Sequence, residues 1–149
     1  MSDSNPKDPL QEELDQLFAD LWKASQFAGH RRAFRPAVDT SRCDDPPRLL
    51  VVVELPGIDP ATTQIVLQGR DLVVAGERLR PQMCGRRFLQ MEIAHGPFQR
   101  RIHLHENVDP AQATASYEEG LLTIMLPIAK GALGSFKVPI KLSEKPDET

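Results

Sequence analysis

Aromatic residues make up only 5% of this sequence, so its interior is not built on stacked rings and must be made of Val, Leu and Ile, which suit strands. Cysteine is scarcer still. Cys43 and Cys84 stand far apart, with no C-x-x-C and no histidine at zinc-site spacing. That excludes a disulfide framework and a structural zinc site, and reads as two free thiols in a reducing cytoplasm. Positive charge is not in excess either: 18 Lys and Arg stand against 21 Asp and Glu, a net charge of -3. Nucleic acid is thereby excluded as the main partner, because phosphate binding needs a concentrated basic surface. The opening M-S-D-S-N-P-K-D lacks the basic start of a signal peptide, and no apolar run is long enough to span a bilayer. A cytoplasmic location without stable membrane insertion is the expectation. Catalytic signatures are missing as well. There is no Gly-rich phosphate loop followed by Lys-Ser or Lys-Thr, no G-x-S-x-G, and no proton-transfer partner for Glu92, so neither an enzyme nor a cofactor is expected.

Proline is plentiful, at 13 of 149 residues, which disfavours long helices after residue 35. The length suits one domain with arms. Residues 1–8 are polar and read as disordered. From Pro9, residues Leu10, Leu14, Leu17, Phe18, Leu21 and Trp22 recur at helical spacing among acidic and amide side chains. This predicts an amphipathic helix over about 9–24, too short to stand alone in water. Its stripe packs either on its own domain or between subunits. Residues 24–36, with Arg31, Arg32 and Arg35, read as a linker.

Strand patterns follow. Pro36–Asp39 reads as a short edge strand and Ser41–Pro47 as a turn. Leu49–Leu55, L-L-V-V-V-E-L, is the most aliphatic run and is expected to be buried on both faces until Pro56-Gly57 stops it. Gln64–Gln68 and Asp71–Gly76 form a pair split by Gly69-Arg70, with Ile65 and Leu67 on one face and Leu72 and Val74 on another. A polar loop over 79–86 runs into the apolar residues Phe88, Leu89, Met91 and Ile93. In 98–105 the even positions read as inward, and His103 and His105 share the polar face. Two imidazoles without a third ligand make no metal site, and His30 and His95 have no constellation. In the stretch 115–126, A-S-Y-E-E-G-L-L-T-I-M-L, Leu122, Ile124 and Leu126 alternate with Leu121, Thr123 and Met125, and Gly120 supplies the turn. Beyond Pro127 the chain reads as a flexible connector, then Val138-Pro139-Ile140, then a charged end.

The spacing of Ala115, Gly120 and Leu122 resembles the A-x-x-x-n-G-x-L signature of the α-crystallin domain, the core of the small heat-shock proteins. The Pro56-Gly57 corner, G-E-R at 76–78 and E-x-x-x-G-x-F from Glu92 to Phe98 come in that family's order. Two positions depart from the pattern: Glu119, where the family favours Asn, and His105, where Pro commonly follows the Leu. The likeness covers roughly residues 35–127 plus the tail motif.

The resemblance implies an all-β, immunoglobulin-like antiparallel sandwich over 35–127, preceded by a helical arm over 1–34 and followed by a flexible extension over 128–149. It implies a dimer made by exchange of the piece Arg87, Phe88, Leu89, Gln90, Met91, Glu92 with a neighbouring sheet, the alternative being a loop folded back on its own domain. It implies that Val138, Pro139 and Ile140 form the C-terminal anchor. Its acceptor would be a groove between the strands at 64–68 and 112–117, lined by Ile65, Leu67, Ala113 and Ala115. The alternative is a tail docked on its own sheet. Pro139 fixes an extended backbone and presents both branched side chains with little entropy left to lose. The implied function is an ATP-independent holdase, an oligomer built from dimers. Its N-terminal stripe Leu14, Leu17, Phe18, Leu21 and Trp22 would meet partly unfolded client proteins. A β-sandwich adaptor that docks, without oligomerising, on a larger chaperone is the alternative.

Overall fold

The computed structural model describes residues 8–27, 34–130 and 134–142, with side chains from 8 to 23 in the first segment. The polar start, Arg31, Arg32, His30 and the charged end beyond Leu142 lie outside the described residues. Among the described residues one α-helix, α1 (Pro9–Phe27), precedes nine strands: β1 (Val38–Cys43), β2 (Arg48–Glu54), β3 (Gln64–Gln68), β4 (Asp71–Arg78), β5 (Gly96–His103), β6 (Thr114–Glu118), β7 (Leu121–Pro127), β8 (Ser135–Lys137) and β9 (Ile140–Leu142). They make two sheets, ordered β1-β2-β7-β6-β9 and β5-β4-β3-β8. All pairings are antiparallel except that of β6 with β9. The expected β-sandwich with a helical N-terminal arm is the observed architecture.

The core forms where the inward faces of the two sheets meet. Val51, Val53, Ile65, Leu72, Val74, Leu122, Ile124 and Leu126 are fully buried there. Strand β7 shows the reason: its alternation turns Leu122, Ile124 and Leu126 inward and leaves Leu121 and Met125 exposed. Its hairpin with β6 closes through Glu119 at φ 52° and Gly120 at φ 79°, the left-handed pair that a two-residue turn needs to match strand twist.

Several boundaries differ from the sequence reading. Strand β1 runs to Cys43 and the turn shrinks to 44–47, because pairing with β2 continues to Cys43 opposite Arg48 through polar residues that carry no apolar signal. Strand β2 is not buried on both faces. Leu49, Val51 and Val53 enter the core while Leu50 and Val52 are half-buried, since the second sheet covers only one side. Ile65, Leu67, Leu72 and Val74 share one inward face instead of two, because the hairpin sets Ile65 opposite Val74 and Leu67 opposite Leu72. Their neighbours Val66 and Val73 are also fully buried, on the outer side, under α1. The connector after Pro127 is not free throughout: residues 131–133 lie outside the described residues, but Ser135–Lys137 pairs with β3.

Candidate functional site

The C-terminal extension lies across the open ends of both sheets. Strand β8 pairs with β3, setting Val66 opposite Lys137 and Gln68 opposite Ser135. The chain then crosses to the other sheet, where β9 runs parallel to β6 with Ala115 opposite Ile140 and Tyr117 opposite Leu142. Val138 and Pro139 make the crossing. The Val138 amide donates to the Ile65 carbonyl at 3.0 Å, its side chain is only 3% exposed, and Pro139, which has no N–H to satisfy, faces solvent. Ile140 is half-buried against the core. Ile65, Leu67, Ala115 and Val138 belong to one core cluster, against which Ala113 and Ile140 pack, and Leu67 stands opposite Phe136 and Ala115 opposite Ile140 in the strand pairing.

Polar residues that the sequence reading missed complete the seat. Ser135 is fully buried; its hydroxyl accepts from the Gln68 amide at 2.9 Å and its carbonyl from the Gln11 amide of α1 at 3.1 Å. Tyr117 donates its hydroxyl proton to the Leu55 carbonyl at 2.7 Å and packs on the core. Amide and hydroxyl side chains in polar stretches carry no periodic signal, so no pattern in the sequence marks them.

The loop between β4 and β5 is the second feature. Residues 79–95 form no strand, and residues 79–94 are exposed apart from the half-buried Arg80. Leu89 is 90% exposed, Ile93 68% and Met91 58%. Arg87 and Glu92 are exposed too. The loop does not fold back as a strand on its own sheets. Its base is tied: Arg78 donates to the carbonyls of Ala94 and Pro56, and stacks its guanidinium 3.7 Å from the Phe34 ring centroid. Within the loop, the guanidiniums of Arg80 and Arg86 lie 4.7 and 4.5 Å from the Phe88 ring centroid, a contact that holds an exposed aromatic in place.

The helical stripe packs on the outer side of the second sheet. Phe18 is buried against Val66, Val73 and Ala75; Leu17, Leu21 and Trp22 pack on the same cluster, and Leu14 is half-buried. Phe18 and Trp22 stack at 5.5 Å, and Arg101 covers Trp22 at 3.6 Å. Arg100 donates to the Pro36 carbonyl at 3.1 Å; burial, and then the nearby charge of Arg35, lower its pKa. His103 is bonded to Asp71 at 2.9 Å, while His105 is exposed. Among the described residues no group of three metal-binding side chains occurs, and no helix is long and apolar enough to cross a membrane.

Comparison with known proteins agrees with this geometry. A sequence model of the Hsp20/alpha crystallin family matches residues 43–141. The 19.0 kDa class II heat shock protein of Oryza sativa subsp. japonica is 35% identical over 83 residues, 51% of this chain and 47% of the rice protein. The chain thus spans about half the length of that relative. The 18 kDa heat shock protein of Streptomyces albus G is 31% identical over 99 residues, 64% of this chain and 68% of that one. Among solved structures, heat shock protein 16.0 from Schizosaccharomyces pombe superposes with a TM-score of 0.60 at 25% identity, covering 66% of this chain and 91% of that one.

Proposed function

We propose, from the premise that this chain belongs to the Hsp20/alpha crystallin family, that it is an ATP-independent holdase, working as an oligomer of dimers that keeps partly unfolded proteins from aggregating. The observation that carries this reading is the loop. Phe88, Leu89, Met91 and Ile93 stand in solvent beside a tied base, and β1 ends its sheet with its outer edge unpaired among the described residues. An apolar segment without a sheet and a sheet edge without a strand satisfy each other when two copies exchange Arg87–Glu92.

The anchor then joins dimers. Val138 and Ile140 together bury side chains worth about 3 to 6 kcal/mol before ordering costs, weak for one contact and strong for many in a closed assembly. With β8 released from β3, the ten residues between Pro127 and Val138 would span at most about 33 to 36 Å, the reach available for carrying the anchor to a neighbour's groove. Clients meet the stripe Leu14, Leu17, Phe18, Leu21 and Trp22 and the vacated groove Ile65, Leu67, Ala113 and Ala115 when these contacts loosen.

One observation favours a second reading. Strands β8 and β9, on either side of Val138-Pro139, pair with β3 and β6 of their own chain, as they would in an adaptor that docks on a larger chaperone without assembling. Light scattering of heated malate dehydrogenase with this protein and no nucleotide, combined with native mass on the same sample, separates the two. A multi-subunit assembly and suppressed scattering are expected. A monomer that leaves the client to precipitate contradicts the holdase reading.

A further inference from the structure

The outer side of the second sheet is apolar where α1 lies on it. Its floor is Val66 and Val73, both fully buried, with Ala75, and it offers the helix no polar group. Two polar side chains at the rim reach the main chain of the helix. Gln99 donates its amide to the Leu21 carbonyl, and Arg101 donates to the Trp22 carbonyl at 3.5 Å. The Arg101 guanidinium also stands 3.6 Å from the centroid of the Trp22 ring, a contact any aromatic can make. Apolar burial plus hydrogen bonds to backbone carbonyls is recognition that reads very little of its occupant's sequence. The helix also leaves part of the face unfilled. An open surface hollow of about 290 Å³ lies beside Leu21, lined by Thr62, Gln64, Ala75, Phe98 and Gln99.

We propose that this face is itself a client-binding site, taking apolar, aromatic-bearing segments of partly unfolded chains, and that α1 occupies it as an internal stand-in. The inference rests on the holdase reading and adds to it a site distinct from the anchor groove. A client competes with α1 for the same floor, the same rim donors and the same place over Arg101. Because Gln11 of α1 bonds the buried Ser135 at the start of β8, lifting the anchor segment also removes one of the helix's attachments. The face and the groove therefore open more readily together than apart.

The test uses the full chain with a benzophenone side chain in place of Thr62, an exposed residue at the lip of the hollow, or of Gln64 as a second position. Each protein is heated with malate dehydrogenase, irradiated, and digested to locate the cross-links, with scattering followed in parallel. Client attached at both positions is expected. Gln11→Ala, which removes the bond to Ser135, or Glu13→Gly with Gln16→Gly on the exposed side of α1, loosens the stand-in without touching its apolar stripe and should raise the attached client on the order of tenfold. Suppressed scattering with cross-links only to α1, or with a yield unchanged by both variants, overturns this site and leaves the holdase reading intact. Unsuppressed scattering in the same samples removes both.

Discussion

Glu119 holds the first position of the β6-β7 turn at φ 52°, where a side chain with a Cβ is strained and Asn or Gly is at ease. Glu119→Asn should therefore stabilise the protein by roughly 0.5 to 1 kcal/mol, read as a higher midpoint in urea unfolding. Gly120 behaves in the opposite sense. Its φ is 79°, and a Cβ there would lie 3.1 Å from Pro56 Cβ and 3.2 Å from Pro56 Cα, so a side chain meets both a strained backbone and the corner that ends β2. Gly120→Ala should cost about 1 to 3 kcal/mol in the same measurement. An unchanged midpoint for both variants would show that the turn does not have this geometry.

Among the elements, the β4-β5 loop and the C-terminal extension have opposite standing. The loop buries almost nothing and is held at its base by Arg78, so its apolar residues add little to the stability of a single copy. Replacing Phe88, Leu89 and Met91 together by Ser should leave the unfolding midpoint of dilute protein within about 0.5 kcal/mol, the range of surface changes, while converting dimers to monomers in native mass. A marked loss of monomer stability would assign the loop to its own domain instead. The extension buries Val138 and Ser135 in the sandwich, so its residues count toward the stability of a single copy.

For the whole molecule, the proposed assembly would depend on how often each groove is filled by a neighbour. Val138→Ala with Ile140→Ala removes five carbons, one side chain buried and the other half-buried, a loss of roughly 2 to 3 kcal/mol or about 30- to 150-fold in occupancy. The expected native mass falls from a large assembly to dimers held by the loop. An assembly of unchanged size would mean that the anchor serves only its own chain.

The alternation in β7 and the aliphatic run of β2 were legible as strands because period-2 burial is written in residue type, and the stripe of α1 was legible for the same reason at period 3.6. That the segment around Val138 and Ile140 lies beside the strands carrying Ile65 and Ala115 is a matter of pairing between distant parts of the chain, β8 with β3 and β9 with β6. Tertiary structure alone decided the rest. It put Leu72 and Val74 on the same side as Ile65 and Leu67, extended β1 through polar residues, and buried Ser135 between Gln68 and Gln11. Register and hydrogen-bond partnership belong to pairs of segments far apart in sequence, and a local pattern has no record of which distant segment it will meet.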